Sequence, residues 1–168
     1  DYSNIPNSPL TTPVPPDITP DIYLFEDLLR DHMTALTAHE HITSPLVKSD
    51  DNKSRVNLAN ALSSEQNALR LTLHEPLNPV LTTYTKHNLD SPLIFEIAKS
   101  FTKDSDQATE IRELTVCSTG AVRNILTSLM KLLNISYSLT PSSNYQVSII
   151  AAGNSIGTLA RDHFTLNT

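Results

Sequence analysis

Apolar positions recur at helical spacing along much of the chain. Ile22, Phe25, Leu29, His32 and Leu36 fall three or four residues apart, with Leu28 and Met33 beside them and Glu26, Asp27, Arg30 and Asp31 between. This spacing predicts an amphipathic helix over 20–40. Thr19 can cap it and Pro20 suits its first position. Pro6, Pro9, Pro13, Pro15, Pro16 and Pro20 exclude helix upstream and disfavour a ladder strand. Residues 1–19 therefore read as an extended arm, either a linker or a strap over a neighbouring subunit. Pro45 and the polar run 48–53 read as a loop. Val56, Ala59, Leu62, Leu69 and Leu73 give a second helical pattern. Ser63-Ser64-Glu65-Gln66 resembles a capping box within it, so two short helices fit as well as one. Pro76 and Pro79 are read as its end. Residues 80–89 mix Val80, Leu81 and Tyr84 with strand-favouring Thr82, Thr83 and Thr85, and fit either element.

In the second half, Asp90-Ser91-Pro92 reads as a helix start before Leu93, Ile94, Ile97, Ala98 and Phe101. Ser105 can cap a short helix carrying Ala108, Ile111 and Leu114. Ser118 can cap a longer one carrying Val122, Ile125, Leu126, Leu129, Leu132 and Leu133. The period then changes. Tyr137 and Leu139, then Tyr145, Val147 and Ile149, alternate with Ser and Gln, which predicts a hairpin with its loop at 140–144. One more short helix is expected around Ile156, Leu159 and Ala160. The expected fold class is mainly α: a helical domain with a small C-terminal β-hairpin. The expected parts are a proline-rich arm at 1–19, an acidic helical segment at 20–89 and a helical segment with hairpin at 90–168; residues 20–168 are also open to being one domain.

The stretch Ala108 to Leu126, with its Glu110-Ile111-x-x-Leu114, a turn, Ser118 and then Val122, Leu126 and Leu129, resembles the helix-turn-helix of the winged-helix superfamily. The resemblance covers about a third of the chain, residues 91–150. It departs from the family at the turn, where Thr115-Val116 replaces the usual glycine. It implies a recognition helix at 118–134 with the 135–150 hairpin as wing, and two uses. One is docking on protein; the other is reading nucleic acid through Thr119, Arg123, Asn124, Thr127 and Lys131.

Charge weighs between these uses. The 168 residues carry a formal net charge of -6. Residues 1–90 hold six Lys/Arg against twelve Asp/Glu, and residues 91–168 hold six of each. An acidic half repels nucleic acid. The expected wing has no Lys or Arg between Ile135 and Ile150, which leaves few phosphate contacts. No apolar stretch reaches the roughly 18 residues of a membrane span. The N-terminus is polar and proline-rich, unlike a signal peptide. Asp1 opens the chain, as in a piece cut from a longer protein.

Chemistry-bearing residues are sparse. One cysteine, Cys117, allows no intrachain disulfide and reads as a small buried residue, with a reactive thiol as the lesser alternative. The lack of disulfides argues for an intracellular setting. Three glycines, Gly120, Gly153 and Gly157, make no phosphate-binding loop. His32, His39, Glu40 and His41 cluster in sequence without a zinc-ligand spacing. His74-Glu75 and Asp162-His163 are isolated pairs. No metal site, cofactor or catalytic residue is assigned, and the chain is read as not an enzyme. The leading reading is a protein–protein interaction or assembly module in a homo- or hetero-oligomer, with Ile22, Phe25, Leu29 and Met33 as the partner interface. The alternative is a winged-helix nucleic-acid-binding regulator. A hydrolase built on the histidines stands third.

Overall fold

The computed structural model describes residues 4, 19–88, 92–105, 107–120, 122–143 and 146–168. Its elements run α1 (Asp21–Ala35), β1 (His39–Glu40), β2 (Leu46–Val47), β3 (Ala68–Leu69), α2 (His74–Lys86), β4 (Leu93–Asp104), β5 (Gln107–Ser118), α3 (Arg123–Leu132), β6 (Tyr137–Ser143), β7 (Gln146–Ala151), β8 (Asn154–Leu159) and β9 (His163–Asn167). Seven strands form one sheet in the order β1-β4-β5-β9-β8-β7-β6, antiparallel except for the short β1–β4 pair. β2 and β3 make a separate two-stranded ribbon.

The longest ladder is β4–β5, paired from Leu93↔Ser118 to Asp104↔Gln107. Successive side chains on a strand point to opposite faces. Leu93, Phe95 and Ile97 of β4 and Leu114 and Val116 of β5 therefore share one face. With Ile149, Leu159, Phe164 and Leu166 they meet Leu29 and Met33 of α1 and Leu126, Leu129 and Met130 of α3. A His32–Ser128 hydrogen bond of 3.2 Å joins the two helices. Ile94, Ala98 and Cys117 point to the other face, where Leu73, Leu77 and Leu81 of α2 cover them.

Residues 41–72 lie along the outer edge of β4. The N–H groups of Phe101 and Lys103 donate to the carbonyls of Arg70 and Ser54, at 3.0 and 2.8 Å. This satisfies an edge that would otherwise be open. Arg70 anchors the segment. It donates to Glu96 Oε1 at 2.9 Å, Thr43 Oγ1 at 2.8 Å and the Lys99 carbonyl at 3.0 Å. Arg70 is 3% exposed and Glu96 2%, so the pair is desolvated. Arg55 does the same one layer out, gripping both Asp50 and Glu75.

The mainly α expectation is wrong: the protein is mixed α/β around a large sheet. The helix over 20–40 exists but stops at Ala35, and Pro20 is its N-cap rather than its first residue. The expected helices at 93–101 and 105–114 are β4 and β5. Because β4 is buried on both faces, its apolar positions mimic a helical stripe. Ser105 takes a left-handed φ of 56° in the hairpin turn instead of capping a helix. Asp90 and Ser91 lie outside the described residues, as does most of the 1–19 arm. The second helical pattern at 56–73 is irregular chain around β3 and an Asn57–Ala68 bridge. Pro76 and Pro79 do not end a helix; they sit inside α2, Pro76 in the first turn, where its missing N–H has no partner to lose. The hairpin at 135–150 is present as β6–β7, with Pro141 paired inside β6. It is the edge of the main sheet and no wing. The expected C-terminal helix is β8 and β9, reached through a turn at Ala152 (φ 50°) and Gly153 (φ 82°).

Removing one partner of the desolvated pair leaves the other charge buried. Arg70→Ala is expected to lower unfolding free energy by about 3–5 kcal/mol, whereas Arg70→Met with Glu96→Leu costs much less. Urea unfolding of both variants checks this; equal losses would show that the pair does not anchor the segment.

Candidate functional site

The face carrying α2 is only partly covered. Along β5 it presents Glu113, Thr115 and Cys117, directly opposite Asn167, Thr165 and His163 of β9. Thr158 of β8 follows beside Thr165, and Ser148 of β7 beside Thr158. The apolar cover of α2 ends over Ile94 and Cys117. Beyond it lies an open concavity of about 250 Å³ lined by Thr72, Glu113, Ser155, Gly157, Thr158, Thr165 and Asn167. Gly157 is required in its rim: a Cβ there would lie 2.0 Å from the Thr165 carbonyl oxygen. Thr115 and Thr165 hydroxyls hydrogen-bond to each other at 2.9 Å in the centre of the face.

Glu113 is the charged group of this concavity. It is 6% exposed, and its Oε2 has no hydrogen-bond partner. Ser100 Oγ, on the neighbouring strand, is also buried without one. Burial pushes the Glu113 carboxyl above its ordinary value, against smaller opposing effects from Ser100, the Leu73 backbone and Arg70. The site thus offers one carboxyl, four hydroxyls and one amide. It can hydrogen-bond a neutral or ammonium group. It has no Lys or Arg among its lining residues, and Arg70 nearby is committed to Glu96. A phosphate has no charge-assisted donor here.

At the far end of the same face, His74 stacks on His163 with ring centroids 3.8 Å apart, and His163 Nδ1 lies 2.9 Å from Asp162 Oδ1. Burial lowers the His74 pKa, with His163 adding to the effect. Cys117 is fully buried, and burial pushes its thiol up to about 12, which makes it a packing residue.

The residues singled out in the sequence lie elsewhere. Thr119, Arg123, Asn124, Thr127 and Lys131 are exposed on and just before α3. The Thr127 hydroxyl is engaged with the Arg123 carbonyl and the Tyr137 hydroxyl, both at 3.0 Å. Leu29 and Met33 are buried against the sheet, with Ile22 and Phe25 half-buried at its margin. The apolar residues that α1 exposes are Tyr23, Leu24 and Leu28. The sequence reading missed Glu113, Thr158, Thr165 and Asn167. For Glu113, Thr165 and Asn167 the signal was alternation, in Glu113-Leu114-Thr115-Val116 and His163-Phe164-Thr165-Leu166-Asn167.

The family described as the phenylalanyl tRNA synthetase beta chain CLM domain matches residues 5–149. The chain belongs to this family. Two solved structures of a pyrrolysyl-tRNA synthetase from Desulfitobacterium hafniense share the fold of this CLM domain, each with a TM-score of 0.70 and 12% identity over 88% of the chain. The chain spans 64% of the length of one and 67% of the other. At that identity the likeness establishes the fold alone. No curated protein sequence matches the chain. Membership corrects the winged-helix resemblance: Glu110-Ile111-x-x-Leu114 belongs to β5 of the sheet, so the described residues hold no helix-turn-helix to dock in a groove. It equally replaces the generic assembly module and the winged-helix nucleic-acid-binding regulator with a tRNA-synthetase-related domain. No helix among the described residues is long and apolar enough to cross a membrane.

A raised carboxyl pKa means that the folded state holds the Glu113 proton more tightly than the unfolded chain. The stability this gives is complete below the ordinary carboxylate range and is lost as pH rises through the folded value. Glu113→Gln is therefore expected to unfold at a higher temperature than the parent at pH 7, with the advantage vanishing near pH 4. Thermal unfolding across that range tests it, and a constant difference at all pH values would show that Glu113 is not under strain.

Proposed function

We propose that the chain works in tRNA aminoacylation as a domain of a phenylalanyl-tRNA synthetase beta chain, beside the other chain of that enzyme, and does not itself activate the amino acid. The observation that carries the first part is the family match over residues 5–149 on a sheet that has a synthetase fold. The word "beta" in the family's name implies a partner chain, and the protein contacts of this domain are with it.

The second part rests on the polar face. Activating a carboxylate with a nucleoside triphosphate develops negative charge on phosphoryl oxygens, and enzymes meet that charge with Arg, Lys or metal ions. The concavity meets it with Glu113, hydroxyls and an amide. With no cation held between them an ionised Glu113 repels a triphosphate, and a protonated one supplies a single neutral donor. The three glycines lie apart, Gly120 before α3, Gly153 in the β7–β8 turn and Gly157 within β8. The fold is retained while this face is unsuited to phosphoryl chemistry. Direct contact with tRNA, where this domain makes it, falls to the exposed face of α3. There Arg123 and Lys131 can each neutralise a phosphate, flanked by Thr119 and Asn124 as neutral donors.

The test is to tag the chain in its own cells and purify it with whatever accompanies it. Phenylalanine-dependent ATP–pyrophosphate exchange and tRNA charging are expected in the co-purified assembly and absent from the isolated chain. Exchange by the isolated chain overturns the non-catalytic reading. Failure of both activities to co-purify overturns membership of the enzyme.

A further inference from the structure

Two motifs that stand isolated in the sequence, His74-Glu75 and Asp162-His163, meet in space. The sheet register explains why. Cys117 of β5 pairs with His163 of β9, so the His163 side chain stands on the α2 face. Leu73, Leu77 and Leu81 seat α2 over Cys117 on that face. His74, the first residue of α2, is carried onto His163 by this packing. Their centroids lie 3.8 Å apart with planes 19° from parallel. One candidate ligand atom from each of His74, Asp162 and His163 falls within 4.8 Å of the others.

We propose that His74, Asp162 and His163 form a binding site for a borderline divalent transition-metal ion of the zinc type. Two imidazoles and one carboxylate make a donor set that such ions accept, with the fourth position left to water. Zinc–nitrogen bonds of about 2.0–2.1 Å place tetrahedral ligand atoms about 3.3 Å apart. Holding an ion requires the two stacked rings, now 19° from parallel, to turn about their side-chain bonds until their in-plane lone pairs converge on one point. Asp162 has freedom to move, since its side chain is 52% exposed, and the ion has a path from solvent on that side.

The neighbours limit the ligand set to these three. Glu75 has both carboxylate oxygens on Arg55, each at 3.1 Å. Cys117 is fully buried in the apolar cluster under α2. The partial positive charge at the α2 N-terminus opposes a cation, and the Asp162 carboxylate offsets it. The site is separate from the Glu113 concavity: four residues of extended β5 put Glu113 and Cys117 about 13 Å apart. An ion here would tie the start of α2 to the β8–β9 turn, the two elements that frame the polar face. Binding to the folded state alone stabilises it by mass action.

Chelator-treated protein titrated with Zn²⁺ in a calorimeter should bind one ion per chain, and Co²⁺ should give visible d–d absorption that Zn²⁺ abolishes. His74→Ala, His163→Ala and Asp162→Asn should each weaken binding about tenfold or more, while His87→Ala, at the other end of α2, leaves it unchanged. Imidazole ¹⁵N spectra of the parent protein read the same question without a substitution: His74 and His163 should shift on Zn²⁺ addition. Absence of one-to-one binding, affinity equal to the parent's in the His74 and His163 variants, or shifts confined to His32, His39, His41 or His87 would each overturn the proposal.

Discussion

The β4–β5 ladder carries apolar side chains on both of its faces, and hiding both is the constraint from which the rest of the fold follows. Phe95, Ile97, Leu114 and Val116 point one way, and Ile94 and Cys117 the other. Fully burying a Leu, Ile or Phe side chain is worth about 1.5–3 kcal/mol, against a total stability of about 5–15 kcal/mol for a domain. A sheet covered on one side would leave Ile94 exposed, and with it Leu73, Leu77 and Leu81 of α2. Those four side chains alone approach the whole margin. One helix layer therefore cannot suffice, and the chain must cross the sheet edge to put α2 on the second face. Residues 41–72 make that crossing. Arg70 and Glu96 let this polar connection lie against the buried edge of β4, since each satisfies the other and Thr43 takes up the remaining carboxylate oxygen at 2.6 Å.

The same constraint decides what could be read from the sequence. α1 and α3 each bury one stripe and expose the opposite side, so their period survives in the residues. β6 and β7 alternate for the related reason that Tyr137, Leu139, Val147 and Ile149 pack into the α1/α3 cluster on one face while the other face is mostly polar. β4 is buried on both faces, and two-sided burial turns alternation into an apolar run. Leu93, Ile94, Ile97, Ala98 and Phe101 then satisfy a helix template as well as a strand. In β5 the alternation of Glu113 to Val116 was present, yet Ile111 and Leu114 also stand at helical spacing. α2 was hidden by its own prolines, which read as stops although Pro76 lies in a first turn. Residues 56–73 failed for a different reason. Their shape is set by Arg55 and Arg70 reaching partners twenty or more residues away, Glu75 and Glu96, and local propensity has no access to such contacts.

The candidate site was less legible than the fold. Each of its residues is ordinary alone: Thr72 in a loop, Glu113 in a charged stretch, Thr158 and Thr165 near the end. They become a site only through the β5–β9 register, which joins residues about fifty positions apart, and the local β8–β9 register that sets Thr158 beside Thr165. The histidine pair shows this most plainly. His74 and His163 are the first residues of two elements that are remote in sequence, and only the pairing of Cys117 with His163 brings them together.

The two faces of the sheet differ in kind. The α1/α3 face is a continuous apolar cluster reaching from β4 to β7. The α2 face is apolar only where α2 lies and polar elsewhere. The second face must be covered only where β4 and β5 present apolar side chains to α2, so the rest of it is free to carry groups that packing would reject. Glu113 is such a group. A buried carboxylate oxygen without a partner costs about 1–3 kcal/mol, and replacing it with an apolar residue would be the cheaper solution for folding alone. Arg70 is close enough to affect it electrostatically, yet its guanidinium is spent on Glu96, Thr43 and the Lys99 carbonyl. The cation that acts on Glu113, Arg70, is thus fixed by the crossing that α2 requires. The demand for two-sided burial therefore reaches the polar face: it takes Arg70 for the scaffold, and leaves a concavity that favours hydrogen-bond donors and ammonium groups over phosphates.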